Sequence, residues 1–132
     1  TNIGIHFFDM LSWIFGKTQN SHLHLYEKDK ASGLLELEKA NVSWYLSLDS
    51  NDLPNKAKEN NISTFRSITI DNEDLEFSGG FTDLHTLSYQ AILNGNGYGI
   101  EEARPSIEIA HTIRNQEVSN SKIDAHPFLK KQ

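Results

Sequence analysis

Apolar residues recur at helical spacing near the start of the chain. Positions three or four residues apart are apolar from residue 5 to residue 15, while polar residues fill the opposite side. This period predicts an amphipathic helix, and Gly16 is a suitable residue to end it. The inner face of this helix is predicted to carry Ile5, Phe8, Leu11 and Phe15.

The middle of the chain has the pattern of β-strands. Residues 22–28 alternate polar with apolar, and residues 33–40 and 41–48 predict two further strands or one long bent strand. Residues 51–61 are polar, contain Pro54 and show no period, so the main loop is predicted there. Residues 64–70 and 75–77 predict a hairpin that turns at Asp71-Asn72.

Helical spacing returns in the last third of the chain. The spacing of Phe81, Leu84, Leu87 and Ala91 predicts one helix, with Thr82 as a candidate N-cap and Asn94-Gly95 at its end. A last helix is predicted over residues 101–116, where Pro105 is tolerable only in the first turn. The inner face of this last helix is predicted to carry Ile107, Ala110 and Ile113.

The order of elements predicts the fold class. A helix, several antiparallel strands and then two helices indicate an α+β fold with a mostly antiparallel, open-faced sheet and helices packed on one side. Residues 1–132 are expected to form a single domain, and residues 119–132, polar apart from Pro127-Phe128-Leu129, a loosely docked tail. The sheet face without helices is expected to be buried by another domain or subunit.

Composition and charge narrow the function classes. A net charge of -6 with scattered basic residues argues against nucleic acid or an anionic membrane as partner. The absence of cysteine excludes disulfides and thiolate zinc sites. Apolar runs are too short to span a bilayer, and no signal-peptide pattern opens the chain. Because the first residue is Thr1 rather than Met, a processed product or a fragment is expected.

His6 is the first candidate for chemistry. It follows Gly4, where backbone and ligand can approach closely, and it lies at the start of the first predicted helix. A histidine at a helix start suits a general base, because the helix dipole favours the neutral imidazole. On the residues alone, a capping or core-edge histidine is the more common explanation.

The remaining candidates are an arginine, a glycine-containing turn and a histidine pair. Arg66, in a predicted strand, could pair with a diphosphate or carboxylate, or could be a solvated strand residue. Ser78 and Gly79, before a helix, could offer N–H groups to a phosphate or form a plain turn. His22 and His24 have spacing that can bind a metal, but no third ligand is evident. We expect a surface or interface pair there and no metal site.

The chain resembles a known family of oxidoreductases. Residues 1–10, Thr-Asn-Ile-Gly-Ile-His-Phe-Phe-Asp-Met, resemble the segment written Asp-x-Gly-x-His-x-x-Asp in the Gfo/Idh/MocA family. Residues 50–54, 65–70, 77–86 and 97–104 resemble its UDP-2-acetamido-2-deoxyglucuronate 3-dehydrogenase, or WlbA-like, branch. The resemblance covers nearly the whole chain, in order. It implies a C-terminal domain of that family, with a fold like the C-terminal domain of glyceraldehyde-3-phosphate dehydrogenase.

The resemblance also implies a reaction. His6 matches the active-site histidine that takes the proton from a sugar hydroxyl while hydride leaves for NAD. Asn2 lies where many relatives carry Asp, and its amide could still hold a sugar hydroxyl. The implied activity is oxidation of C3 of a UDP-linked N-acetyl sugar acid in bacterial surface-polysaccharide (lipopolysaccharide) synthesis, in the cytoplasm. The alternative is a stand-alone, non-catalytic domain that binds a sugar nucleotide or serves oligomerisation.

The cofactor-binding half of such an enzyme is not in this sequence. No Gly-x-Gly-x-x-Gly opens a βαβ unit, and no Glu-Lys-Pro run supplies the family's catalytic lysine. NAD is therefore expected to be bound mainly by an N-terminal Rossmann domain outside this chain. The chain alone is expected to bind no cofactor and to be inactive. The expected partners are that Rossmann domain, a UDP-sugar and further copies in a homo-oligomer assembled through the open sheet face.

Overall fold

A computed structural model describes residues 4–79, 83–121 and 123–130. The chain divides into two compact units, residues 1–48 with 99–132, and residues 49–98. The helices are α1 (Gly4–Phe15), α2 (Asn55–Glu59), α3 (Leu84–Leu93), α4 (Ile100–Asn115) and α5 (Pro127–Lys130). The strands are β1 (Thr18–Tyr26), β2 (Lys30–Leu37), β3 (Asn41–Ser47), β4 (Ser67–Ile70) and β5 (Glu73–Glu76).

In the first unit, α1 packs its apolar stripe inward as the sequence predicts. Phe8 and Leu11 are buried, and Gly16 ends the helix with its N–H on the Ser12 carbonyl at 3.0 Å. Gly16 has a φ of +88°, a conformation that favours glycine at the end of a helix. The tight turn from α1 into β1 therefore depends on this glycine.

Strands β1, β2 and β3 form one antiparallel sheet in that order. The prediction of two separate strands over residues 33–48 is confirmed, and the alternative of one long bent strand is wrong. The first strand begins at Thr18 rather than at residue 22. Residues 18–21 are all polar, so they show no alternation of polar and apolar side chains. Only their pairing with β2 shows that they belong to the strand.

The two faces of this sheet have different neighbours. Trp44 and Tyr45 are adjacent in β3 and therefore point to opposite faces. Trp44 meets the ring of Phe8 in α1 edge-on, with centroids 5.4 Å apart. Tyr45 stacks on His126 and Phe128, with centroids 5.7 and 5.4 Å away. The α+β class with an antiparallel sheet and helices is confirmed, and in addition part of the tail lies against the face opposite α1.

Helix α4 differs from its prediction in two details. Pro105 lies in the second turn rather than the first, so the backbone of α4 lacks one N–H donor inside the helix. The buried side of the helix carries Ile109 and Ile113, while Ile107 is half exposed. The prediction for Ile107 is wrong because the buried face is centred on Ser106, Ile109 and Ile113, and Ile107 lies about 100° around the helix from Ser106.

The chain after α4 is tied to the edge of β1. Val118 forms a parallel bridge with Leu23, and the Ser119 N–H donates to the Leu23 carbonyl at 2.7 Å. Further along, Ala125 is buried. How firmly residues 119–132 dock as a whole stays a prediction.

The second unit contains the predicted hairpin and an unpredicted pair of short helices. Strands β4 and β5 pair around Asp71-Asn72, both with positive φ, as the sequence indicates. Residues 51–61, predicted as loop, hold most of a short 3-10 turn (Ser50–Asp52) and the single-turn helix α2. Elements this short carry no periodic signal. Asn94-Gly95 follows α3 as predicted, whereas Phe81 and Thr82 lie outside the described residues.

In the described part of the chain, no helix has both the length and the apolar character needed to cross a membrane.

Candidate functional site

His6 lies in the first turn of α1, on its solvent side. The same helix buries Phe8 and Leu11 against the first unit, and this anchors the backbone that carries the imidazole. Asp9 and Trp13 share the exposed side with His6, because residues three and seven positions apart lie on one face of a helix. An exposed imidazole on a packed helix can reach a ligand without moving the core.

Arg66 and Ser78 are brought together at the open end of the hairpin. The Arg66 N–H donates to Ser78 Oγ at 2.9 Å, and the guanidinium Nη1 donates to the Ser78 carbonyl at 3.1 Å. Arg66 is half-buried, and its guanidinium has five N–H donors in a planar fork. The arginine therefore fixes the backbone of Ser78 and places a cation beside it.

Gly79 extends this arrangement. It is exposed, and an added Cβ would meet no atom within 4 Å. The space beside its backbone is open, so an anionic group can approach the peptide closely. Together, Arg66, Ser78 and Gly79 provide a cation and accessible backbone at one end of the hairpin, which suits a phosphate or a carboxylate.

The predicted site residues fall into both units. His6 belongs to the first unit, and Arg66, Ser78 and Gly79 belong to the second. Asn2 lies outside the described residues. Sequence reasoning named Arg66 and Ser78 separately and missed their mutual contact, because a side-chain bond twelve positions apart has no local pattern.

The histidine pair in β1, expected to be a surface or interface pair, is not a surface pair, whereas the interface alternative stays a prediction. A register shift between Leu23 and Leu25 places an extra residue in β1, and such a bulge breaks the alternation of faces. His24 is consequently buried, whereas His22 is half exposed and lies 3.3 Å from Glu36 Oε1. Among the described residues, no group of three or more His, Asp or Glu side chains could hold a metal ion.

A stacked aromatic cluster, formed by Tyr45, His126 and Phe128, was also missed. The rings of His126 and Phe128 are nearly parallel, at 3° and 5.5 Å. Burial lowers the pKa of His126 from the ordinary histidine value of 6.5. The apolar patch at residues 127–129 was the available signal, but the sequence does not show which strand it meets.

Fold and sequence together define a class. An antiparallel sheet packed on α1, with an exposed histidine in the first turn of that helix, matches the expectation for the C-terminal domain of a Gfo/Idh/MocA oxidoreductase. No protein-family model matches the chain.

Within that class, the chain is similar to the WlbA (WbpB) dehydrogenase from Thermus thermophilus. Against its structure with NAD and α-ketoglutarate, the identity is 44% over 97% of this chain, and the TM-score is 0.91. Against its structure with NAD and UDP-GlcNAcA, the identity is 43% over 97% of this chain, and the TM-score is 0.90. The chain spans 42% and 41% of those two polypeptides. The resemblance to the WlbA-like branch is therefore confirmed, with coverage consistent with a C-terminal domain.

Proposed function

We propose that this chain is the substrate-side domain of an NAD-dependent dehydrogenase that oxidises C3 of a UDP-linked N-acetyl sugar acid. The observation that carries the proposal is the 44% identity and TM-score of 0.91 to a dehydrogenase, together with the second structure of that enzyme with NAD and UDP-GlcNAcA. At this identity over 97% of the chain, a shared ligand class follows more readily than from a shared fold alone.

His6 is the general base of the proposed reaction. Its imidazole takes the proton from the C3 hydroxyl, so that the C–H bond can release a hydride and a carbonyl can form at C3. Base and hydride acceptor must lie on opposite sides of the reacting carbon. The exposure of His6 on a firmly packed helix supports this role, because the base must meet the sugar while its backbone stays fixed.

NAD does not fit the described residues of this chain. Their sheets are antiparallel, with one parallel bridge between Leu23 and Val118, and a dinucleotide is typically held by a parallel βαβ unit. The chemistry that NAD supplies, acceptance of the hydride, therefore belongs to a Rossmann domain outside these residues. The chain alone is proposed to be inactive.

Arg66, Ser78 and Gly79 are proposed to recognise the anionic part of the substrate. A UDP-linked sugar acid carries a diphosphate and a carboxylate, and a guanidinium held by the Ser78 carbonyl can pair with either. The open backbone at Gly79 allows such a group to approach. Asn2 is proposed to hold a sugar hydroxyl through its amide.

The proposal includes a bacterial, cytoplasmic homo-oligomer that serves surface-polysaccharide synthesis. The supporting feature for assembly is the part of the sheet face opposite α1 that lies beside Tyr45, since Tyr45 itself is covered by His126 and Phe128 of the tail. By register this face also presents Ser43, opposite Leu34, and Asn41, opposite Glu36. Polar and apolar side chains of this kind suit a contact between subunits.

The proposed function is tested with the full-length protein that contains this chain. It is incubated with NAD and UDP-GlcNAcA, with and without α-ketoglutarate, and the sugar nucleotide is followed by mass spectrometry. The proposal predicts a product two mass units lighter, with the isotope of a C3-deuterated substrate lost. If UDP-GlcNAcA binds but stays unoxidised in every mixture, the protein is a non-catalytic binding domain instead.

A further inference from the structure

Helix α3 exposes apolar residues on more than one side. Its ten residues include no Asp, Glu, Lys or Arg, and none of them is buried. At 3.6 residues per turn, its six apolar residues are spread over about two thirds of the circumference, with the polar residues His85 and Ser88 between them. At least half of the surface is exposed in each of its large apolar residues, Leu84, Leu87, Tyr89, Ile92 and Leu93.

This pattern differs from a chance apolar residue on a solvated helix. Ile107 of α4 is also half exposed, but Glu108 and Arg114 are charged neighbours on the same helix. Single exposed aliphatic residues of that kind are normal, whereas contiguous apolar surface indicates an interaction site. Half of the ten residues of α3 are large apolar side chains that are at least half exposed, and such a surface indicates an interaction site.

We propose that α3 is the docking surface for the part of the same polypeptide that lies outside these 132 residues. This inference rests on the proposed function, in which that part holds NAD. The matched dehydrogenase is more than twice as long as the region that this chain covers, since the chain spans 42% of it. A large segment of polypeptide is thus available to cover α3 permanently.

The character of α3 favours a covalently linked cover over a transient partner. Permanent contacts are more apolar than contacts between proteins that also exist apart. A surface that is exposed to water whenever its partner dissociates would carry Asp, Glu, Lys or Arg side chains, and α3 has none of these. Its polar residues are His85, Thr86, Ser88 and Gln90, whose side chains can form hydrogen bonds within such a contact.

The position of α3 in the chain supports the same occupant. The helix begins shortly after Ser78 and Gly79, which the proposed function places on the substrate. A hydride acceptor must meet the reacting sugar carbon at near contact distance. The polypeptide that holds the acceptor must therefore approach the substrate-binding turn, and the exposed helix that follows this turn is the adjacent apolar surface in the second unit.

Photo-crosslinking in the full-length protein tests this inference without requiring turnover. Tyr89→p-benzoylphenylalanine keeps an aromatic ring at an exposed position, and Leu93→p-benzoylphenylalanine gives an independent second site. After irradiation, we expect crosslinks within one polypeptide, from α3 to residues outside the 132 of this chain. Ile107→p-benzoylphenylalanine is the matched control, which should give no crosslink to that part.

Three results would overturn the inference. A covalent dimer on a denaturing gel would show that a second copy covers α3. Crosslinks confined to the 132 residues would show that the chain covers its own helix, and no crosslink from either position would show that α3 is solvated. Failure of the proposed function has a different signature, because the sugar nucleotide would then stay unoxidised whatever the crosslinks show.

Discussion

At the scale of single residues, the close packing of Gly33 against Trp44 fixes the centre of the sheet. The two residues are paired across β2 and β3, and an added Cβ at Gly33 would lie 2.8 Å from Trp44 Cζ2 and even closer to the His22 carbonyl oxygen. The indole can therefore lie on the strand only because residue 33 has no side chain. Trp44 in turn receives the edge of Phe8, so one glycine supports the contact between the sheet and α1.

Gly33→Ala is expected to destabilise the protein by about 1–3 kcal/mol, the usual cost of overpacking a core. The new methyl group must displace a backbone oxygen and a buried ring, since both lie closer than a normal contact. Urea denaturation of the full-length protein measures this change. Gly79→Ala is the control for stability, because its Cβ meets no atom within 4 Å. Equal stability of the two variants would contradict the packing account.

Arg66→Lys tests whether the arginine recognises the substrate. Lysine has a single nitrogen and no planar fork, so it cannot hold the Ser78 carbonyl and also pair with an anion in the bidentate way of a guanidinium. KM for the UDP-sugar acid should rise by about 10-fold or more, the cost of a lost hydrogen bond to a charged group, while kcat changes less.

The control for Arg66→Lys is Arg104→Lys, which alters an exposed arginine paired with Glu101 on α4. We expect this control to leave KM unchanged, because an exposed ion pair contributes little. An unchanged KM in Arg66→Lys would remove the arginine from substrate binding and leave it a support of the Ser78 backbone.

At the scale of elements, the sequence predicted those that have a long apolar period. The first and last helices, the hairpin and the strands over residues 33–48 all follow from spacing. Elements without such a period were missed, namely the 3-10 turn and α2 within residues 51–61 and the start of β1. The bulge that buries His24 depends on pairing with β2, and pairing between strands cannot be read from one strand.

The tail shows the same limit of sequence-based prediction. Its apolar patch, residues 127–129, is visible in the sequence, but the contact of Phe128 with Tyr45 in β3 is not. Burial lowers the pKa of His126 from the usual value of 6.5, so the folded protein binds a proton there less readily than the unfolded chain does. The contribution of neutral, buried His126 to the stability of the fold is therefore fully present above about pH 6.5. It is lost as the pH falls toward the folded-state pKa.

His126→Phe should reduce the loss of stability just below pH 6.5 while keeping a ring against Tyr45 and Phe128. Denaturant midpoints measured from pH 5 to 8, on the variant and the parent, give the two slopes. His111→Gln, which alters an exposed histidine of α4, is the matched control for the removal of an imidazole. A variant slope identical to that of the parent would show that His126 does not titrate with folding.

At the scale of the whole molecule, the sequence identified the family branch and the structural matches confirmed the resemblance. The parts of the candidate site were predictable as residue types in motifs, namely His6 at a helix start and Arg66 and Ser78 near a turn. The contact between Arg66 and Ser78 was not predictable, because no local pattern indicates it, and His6 belongs to the other unit. The exposure of the apolar residues of α3 was not predictable, because helical spacing of apolar residues is normally taken to indicate a buried face.

The central claim is that this chain supplies the general base for oxidation of a UDP-sugar acid. The most direct test is the rate of product formation from UDP-GlcNAcA by full-length His6→Ala, measured beside His111→Ala, an exposed helical histidine outside the proposed site. The account predicts a loss of about 10²–10⁴-fold for His6→Ala, as expected when a general base is removed, and an unchanged rate for His111→Ala. A near-normal rate in His6→Ala would contradict the account.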